Sequence, residues 1–299
     1  MPASLITGLR SVEIEVADVP ASERFYRDHW YLATAATTDG AVYLRGTGAA
    51  SHVIALHPGP ATALRSVTLT ARDRAAIDGL AQHLAARGVT VIGKPAPIKE
   101  PGGGYGCAFL DPERRVFRVI AADTPHADTT SHPDRPERLA HVVLNSTDNE
   151  SATKFFTDVL DFKLSDRTRI MDFIRCNRDH HNLSFAKGNA PTLNHIAFHM
   201  PTLDAVMRGA GRLREAGYPI EWGVGRHGPG NNVFAYFVAP GEVVVEYTAE
   251  VAEVDDDYKT GGPDDWTWPP GRIDHWGIAP PPSPRLKEAQ AKIGFRVPA

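Results

Sequence analysis

Glu246 stands in the run GEVVVEYTAE, residues 241–250, where Val243, Val244, Val245 and Tyr247 mark a β-strand buried on both faces. A carboxylate in the middle of such a strand is costly unless something cationic pairs with it. The ordinary partner is an Arg or Lys. Two histidines offer another answer: His141 in LAHVVLN and His195 in LNHIAFH are each a single imidazole near the start of an apolar run. Two histidines and one carboxylate are the ligand set of a mononuclear non-haem Fe(II) site, which covers one face of the metal and leaves the other open.

The elements that must position these residues follow a repeating order. Residues 9–16 (LRSVEIEV) alternate as a half-buried strand, Pro20 opens an amphipathic helix, and short strands follow near residues 41–45 and 52–56. The order restarts at residues 64–71 (LRSVTLTA), with a periodic helix over 72–87 ending at the cap glycine Gly88 and a closing hairpin around Asp111 and Pro112. Residues 123–137, polar and Pro-containing, read as a linker. The second half repeats the pattern, with LAHVVLN before a helix over 149–160 and LNHIAFH before a helix over 202–216 that is capped by Gly217.

The first half matches the second at an offset of about 130 residues, LRS at Leu9 with LAH at Leu139 and LRS at Leu64 with LNH at Leu193. In this register Ser11 stands for His141, Ser66 for His195 and Arg118 for Glu246. All three positions change together, from two hydroxyls and a guanidinium that repels cations to two imidazoles and a carboxylate. That concerted difference links the three in space and confines the metal to the second half. The chain is thus expected to be α+β, built of tandem βαβββ modules in two similar barrel-like domains. These are residues 1–122 without metal and residues 138–250 with it, followed by a tail, 251–299, that packs on the domains or on a partner subunit.

Composition bounds the function. The 42% hydrophobic and 23% charged content is that of a globular chain with a full core. A formal charge of -4 over 299 residues argues against nucleic acid and anionic membranes as partners and leaves small-molecule chemistry. Cys107 and Cys176 are too few and too far apart for a disulfide framework or a thiolate metal site, which points to a reducing compartment. No apolar run approaches the roughly 20 residues of a membrane span, and the N-terminus lacks the order of a signal peptide, so a cytoplasmic protein is expected.

Paired βαβββ modules with a 2-His-1-carboxylate set in the second half resemble the vicinal oxygen chelate superfamily. More narrowly the chain is similar to two-domain type I extradiol catechol dioxygenases. LAHVVLN, RDHHNLSF, LNHIAFHM, GRHGPGNNVFAYFVAPGEVVVEY and IDHWG carry the resemblance, in that order. It implies metal ligands at His141, His195 and Glu246, an active-site histidine at His181, and substrate-contacting groups at His227 and Tyr236. It further implies Fe(II), with Mn(II) fitting the same donors, an aromatic diol and O2 as reactants, and assembly as a homo-oligomer.

Alternation in RDHHNLSF turns His181 inward with Leu183 and Phe185, and His180 to the other face with Asn182 and Ser184. An inward histidine beside an open metal face suits proton transfer near neutrality. Phe173, Phe198 and Tyr236 suggest an aromatic-lined pocket, and Arg175 or Arg226 could hold a carboxylate substituent. After His227, where such enzymes commonly carry an acidic residue, this chain has Gly228, Pro229, Gly230, Asn231 and Asn232, so Asn231 or Asn232 is the expected neutral substitute at the substrate. His199 and His275 are not expected to be ligands, the latter packing beside Trp276. Two other functions use such modules: a divalent-metal isomerase or lyase of the glyoxalase type, and a non-enzymatic protein that sequesters aromatic compounds. The first usually draws ligands from both modules, for which Ser11, Ser66 and Arg118 are unfit.

Overall fold

A computed structural model of the chain describes residues 5–296; the outermost residues of the first and last expected segments, 1–4 and 297–299, lie outside the described residues. The first half contains β1 (Ile6–Val16), α1 (Val19–Arg24), β2 (Ala33–Thr38), β3 (Ala41–Arg45) and β4 (Ile54–Pro58). Then follow β5 (Ala63–Ala71), α2 (Arg74–Ala86), β6 (Val91–Pro97), β7 (Tyr105–Leu110) and β8 (Val116–Ala121). The second half repeats this order with β9 (Arg138–Ser146), α3 (Asn149–Leu160), β10 (Lys163–Arg167), β11 (Met171–Arg175) and β12 (Leu183–Lys187). It ends with β13 (Thr192–His199), α4 (Leu203–Glu215), β14 (Trp222–Arg226), β15 (Val233–Val238) and β16 (Val244–Ala249).

One local device starts each crossover helix. Asp18, Asp73, Asp148 and Thr202 each accept a hydrogen bond from the backbone N–H three residues on, satisfying a donor that the helix cannot. The two halves then share one topology, with strand orders β2-β3-β4-β1-β5-β8-β7-β6 and β10-β11-β12-β9-β13-β16-β15-β14. Val12 pairs with Ile54 and Val67 in the first sheet as Val142 pairs with Leu183 and Ile196 in the second, so the register expected from sequence is the register of the fold. The expected paired modules are present, and their sheets do not close. Each sheet of eight strands is open, ending at β2 and β6 or at β10 and β14, so the halves are barrel-like without being closed barrels. No helix among the described residues is long and apolar enough to cross a membrane.

One apolar cluster runs through both halves. Trp30, just beyond α1, stacks on Tyr247 of β16 with ring centroids 3.6 Å apart and meets Phe198 of β13 and Phe237 of β15 edge-on. Reciprocally, Phe155 and Phe156 of α3 pack on Phe109 and Phe117 of the first sheet. Each half thus presents its first helical segment to the sheet of the other.

Candidate metal centre

The middle of the second sheet brings the three expected ligands together. His141 and Glu246 lie opposite Ala197 of β13 from either side, on β9 and β16, and His195 sits two residues along β13 on the same face. Ala197 is fully buried, and its side chain between them is a single methyl. Both neighbours of Glu246, Val245 and Tyr247, turn to the apolar core instead. A period-2 strand with a carboxylate on one face and a core on the other produces this arrangement.

His141 Nε2 and His195 Nε2 each stand 3.1 Å from Glu246 Oε2 and 3.4 Å from one another. An ion held about 2.1 Å from each donor at right angles spaces its ligands about 3 Å apart, so the residues fit a single metal. Among the described residues no Arg or Lys pairs with Glu246. Burial alone would push its carboxyl up, but the imidazoles of His141 and His195 hold it well below the usual carboxylate range. Burial lowers His195, keeping its imidazole neutral as ligation requires. Its Nε2 faces the site because Nδ1 lies 2.8 Å from Asn194 Oδ1.

Around this triad stand the other residues singled out from sequence. His181 lies just before β12, its ring 4.3 Å from that of His141 and 5.3 Å from that of Phe173. Burial and the neighbouring histidines lower its pKa well below the ordinary imidazole value. Tyr236 pairs across the sheet with Glu246, and its hydroxyl lies 3.0 Å from His227 Nε2. Burial keeps that phenol protonated. His227 is no loop histidine in solvent: it stacks on Phe234 at 4.0 Å, and burial lowers it to about 4.

Other expectations are corrected. Asn231 is exposed and turns its Oδ1 to His275 of the tail, away from the triad, while Asn232 donates to Thr248 Oγ1 and to Glu246 Oε1 and so supports the carboxylate. Arg175 is taken by Ser165 and the Asp255 carbonyl, and Arg226 by Glu250 and the Asn231 carbonyl. His275 packs edge-on against Trp268, not Trp276. The departure after His227 has a steric cause. A Cβ on Gly228 would lie 2.6 Å from Trp268 and 3.2 Å from Trp266, and Gly230, at φ +76°, would bring one within 3.0 Å of the His181 ring. Trp222, stacked on Tyr236 at 5.1 Å with a buried, unpartnered indole N–H, was not singled out from sequence. His180 was read as outward, yet it is completely buried.

The first half shows what the same positions do without a metal. Arg118 pairs with Glu13 and, at 2.7 Å, with Glu100, while Ser66 donates to Glu13. His52, the positional counterpart of His181, lies 3.2 Å from the Arg10 guanidinium.

Two imidazoles and a carboxylate on central strands of paired βαβββ modules define a mononuclear metalloprotein of the vicinal oxygen chelate type. The chain belongs to the Glyoxalase/Bleomycin resistance protein/Dioxygenase superfamily, whose profile matches residues 138–247. It is 36% identical to the crystal structure of the Mn(II)-bound glyoxalase from Novosphingobium aromaticivorans, with a TM-score of 0.87 over 99% of this chain and 96% of that one. Metapyrocatechase 2 of Cupriavidus necator is 30% identical over 64% of each chain. Biphenyl-2,3-diol 1,2-dioxygenase of Metapseudomonas furukawaii is 28% identical over 84% of this chain and 88% of its own. Relatives named as iron-dependent and as manganese-dependent dioxygenases both occur.

Proposed function

We propose that this chain is an extradiol dioxygenase that opens the ring of a catechol-type substrate with O2, at a metal held by His141, His195 and Glu246. The observation that carries the reading is the His/His/Glu cluster, which faces His181, His227 and Tyr236. Bound there, Fe(II) or Mn(II) would supply a redox-capable template with open positions that brings the diol and dioxygen to contact distance. Tyr236, oriented by His227, donates a hydrogen bond to one oxygen of the diol. Phe173 and Trp222 offer aromatic faces to its ring. His181 takes a proton at Nε2 and returns it later, work for a neutral buried imidazole. Trp266 and Trp268 pack over Gly228 in the loop that follows His227. One ring carbon–carbon bond beside the diol breaks, and both atoms of O2 enter the product, so no outside reductant is required.

The first half, residues 5–122 here, is proposed to be the metal-free unit and residues 138–250 the catalytic one. Self-assembly and a cytoplasmic location belong to the same reading, the latter supported by two unpaired thiols. A glyoxalase-type isomerase is favoured by the likeness to the Mn(II)-bound glyoxalase, and opposed by a first half that offers no ligand set. Oxygen uptake by anaerobically iron- or manganese-loaded protein, with catechol and 2,3-dihydroxybiphenyl as substrates, tests the proposal. Stoichiometric uptake with a yellow ring-opened product is expected. Metal bound at one per chain with no uptake across both substrates would overturn it in favour of the isomerase.

A further inference from the structure

His180 is buried next to the proposed proton-transfer histidine, and the mechanism above makes no use of it. Its Nδ1 lies 3.0 Å from His181 Nδ1 and its Nε2 2.7 Å from Asp166 Oδ2. Asp166, on β10, is itself fully buried. The tail supplies the rest of its shell, since Tyr258 donates its hydroxyl to Oδ2 at 3.1 Å and the Gly261 N–H donates to Oδ1 at 2.7 Å.

We propose that Asp166 and His180 are positioning residues that hold His181 in the Nδ1–H tautomer, leaving Nε2 as a bare lone pair for a substrate proton. Donors and acceptors fix the tautomer. A carboxylate only accepts, so the proton between His180 and Asp166 belongs to His180 Nε2. A neutral imidazole carries one N–H, so His180 Nδ1 is then an acceptor, and the proton in the contact between the two rings belongs to His181 Nδ1. His180 is taken as the neutral imidazole, with Asp166 accepting from three donors, His180 Nε2, the Tyr258 hydroxyl and the Gly261 N–H. The other nitrogen of His181 forms no hydrogen bond among the described residues, and its ring faces His141 and Phe173. A ligand histidine is usually oriented in this way through its second nitrogen. Here the same device acts through two imidazoles in series, on a group that binds no metal.

This assignment rests on the dioxygenase reading for its catalytic consequence, but not for its geometry. Asp166→Asn separates them. The Gly261 N–H still needs an acceptor, so the amide oxygen keeps the place of Oδ1 and the amide NH2 takes that of Oδ2. It then donates to His180 Nε2, which moves the His180 proton to Nδ1 and forces His181 into the Nε2–H form. Long-range 1H–15N spectra of the metal-free full chain, with His181 assigned by its loss in His181→Asn, read this directly. Wild type is expected to show Nδ1–H at His181 and Asp166→Asn to show Nε2–H. In iron-loaded protein the same substitution is expected to lower kcat about 10²-fold or more, the scale of a lost proton-transfer partner, with KM and metal content nearly unchanged. Nε2–H at His181 in wild type overturns the proposal without any variant. So does a variant that folds and keeps both the wild-type tautomer and turnover. If loaded wild type consumes no oxygen with any catechol, the dioxygenase reading falls, and the two tautomers still decide the positioning role.

Discussion

Replacing Trp30 with Ala should weaken the strands that carry His195 and Glu246, although Trp30 belongs to the other half of the chain. The indole is fully buried, stacks on Tyr247 at 3.6 Å and an interplanar angle of 12°, and meets Phe198 and Phe237. Truncating a buried Trp or Phe to Ala costs about 3–5 kcal/mol, part transfer of lost area and part the cavity left behind. Relaxation is limited here, because the Tyr247 hydroxyl is pinned to the Trp30 carbonyl at 3.0 Å and to Arg212 at 3.2 Å. Those bonds hold the cavity open. With a urea dependence of about 3 kcal/mol per molar, the unfolding midpoint should fall by about 1–1.7 M. Hydrogen exchange locates the effect: protection of amides in β13 and β16 should drop together with that of α1. A loss under about 1 kcal/mol, or one confined to the first half, would refute the idea that the shared core joins the halves.

Glu246→Gln keeps the shape and removes the charge, so metal affinity measured by competition with a chelating dye should fall at least about 100-fold, as when one partner of a buried pair is lost. The metal-free fold should remain intact. Ala197→Leu should place three extra carbons among the ligands and abolish one-per-chain metal uptake, read by elemental analysis, at a cost of about 1–3 kcal/mol from overpacking. His52 makes a prediction about pH. Burial, with Arg10 and His57 adding repulsion, lowers it to about 3, below an ordinary value near 6.5 in the unfolded chain. The unfolded state therefore binds the proton first, and stability present above about pH 6.5 is lost as pH falls toward 3. At pH 4.5 this site alone removes about 3 kcal/mol, and His52→Gln should flatten the acid side of the stability profile by roughly that amount.

Much of this molecule is legible in its sequence because the chain is written twice. His141, His195 and Glu246 each lie in a strand with a clear apolar period, and comparison with Ser11, Ser66 and Arg118 places them in neighbouring strands. Closure is not legible in the same way, since whether β2 or β6 finds a further partner depends on curvature accumulated over a whole sheet. Asp166 stayed hidden because KLSDR has no apolar alternation and its partners, His180, Tyr258 and Gly261, come from segments remote in sequence. Asn231 and Asn232 differ by one position, and only the turn with Asn231 at φ +50° decides which of them faces Glu246. His52 was within reach, because the same offset that pairs Ser66 with His195 pairs it with His181.

Arg118 has a consequence for how this protein comes to be competent. The first half carries its cation on a tether, joined to Glu13 and Glu100 as soon as the chain folds. The second half must capture its cation from the surroundings. Molecules of one sequence and one fold will then differ in competence according to the metal supply of the cell that made them, and a preparation can be wholly folded and only partly awake.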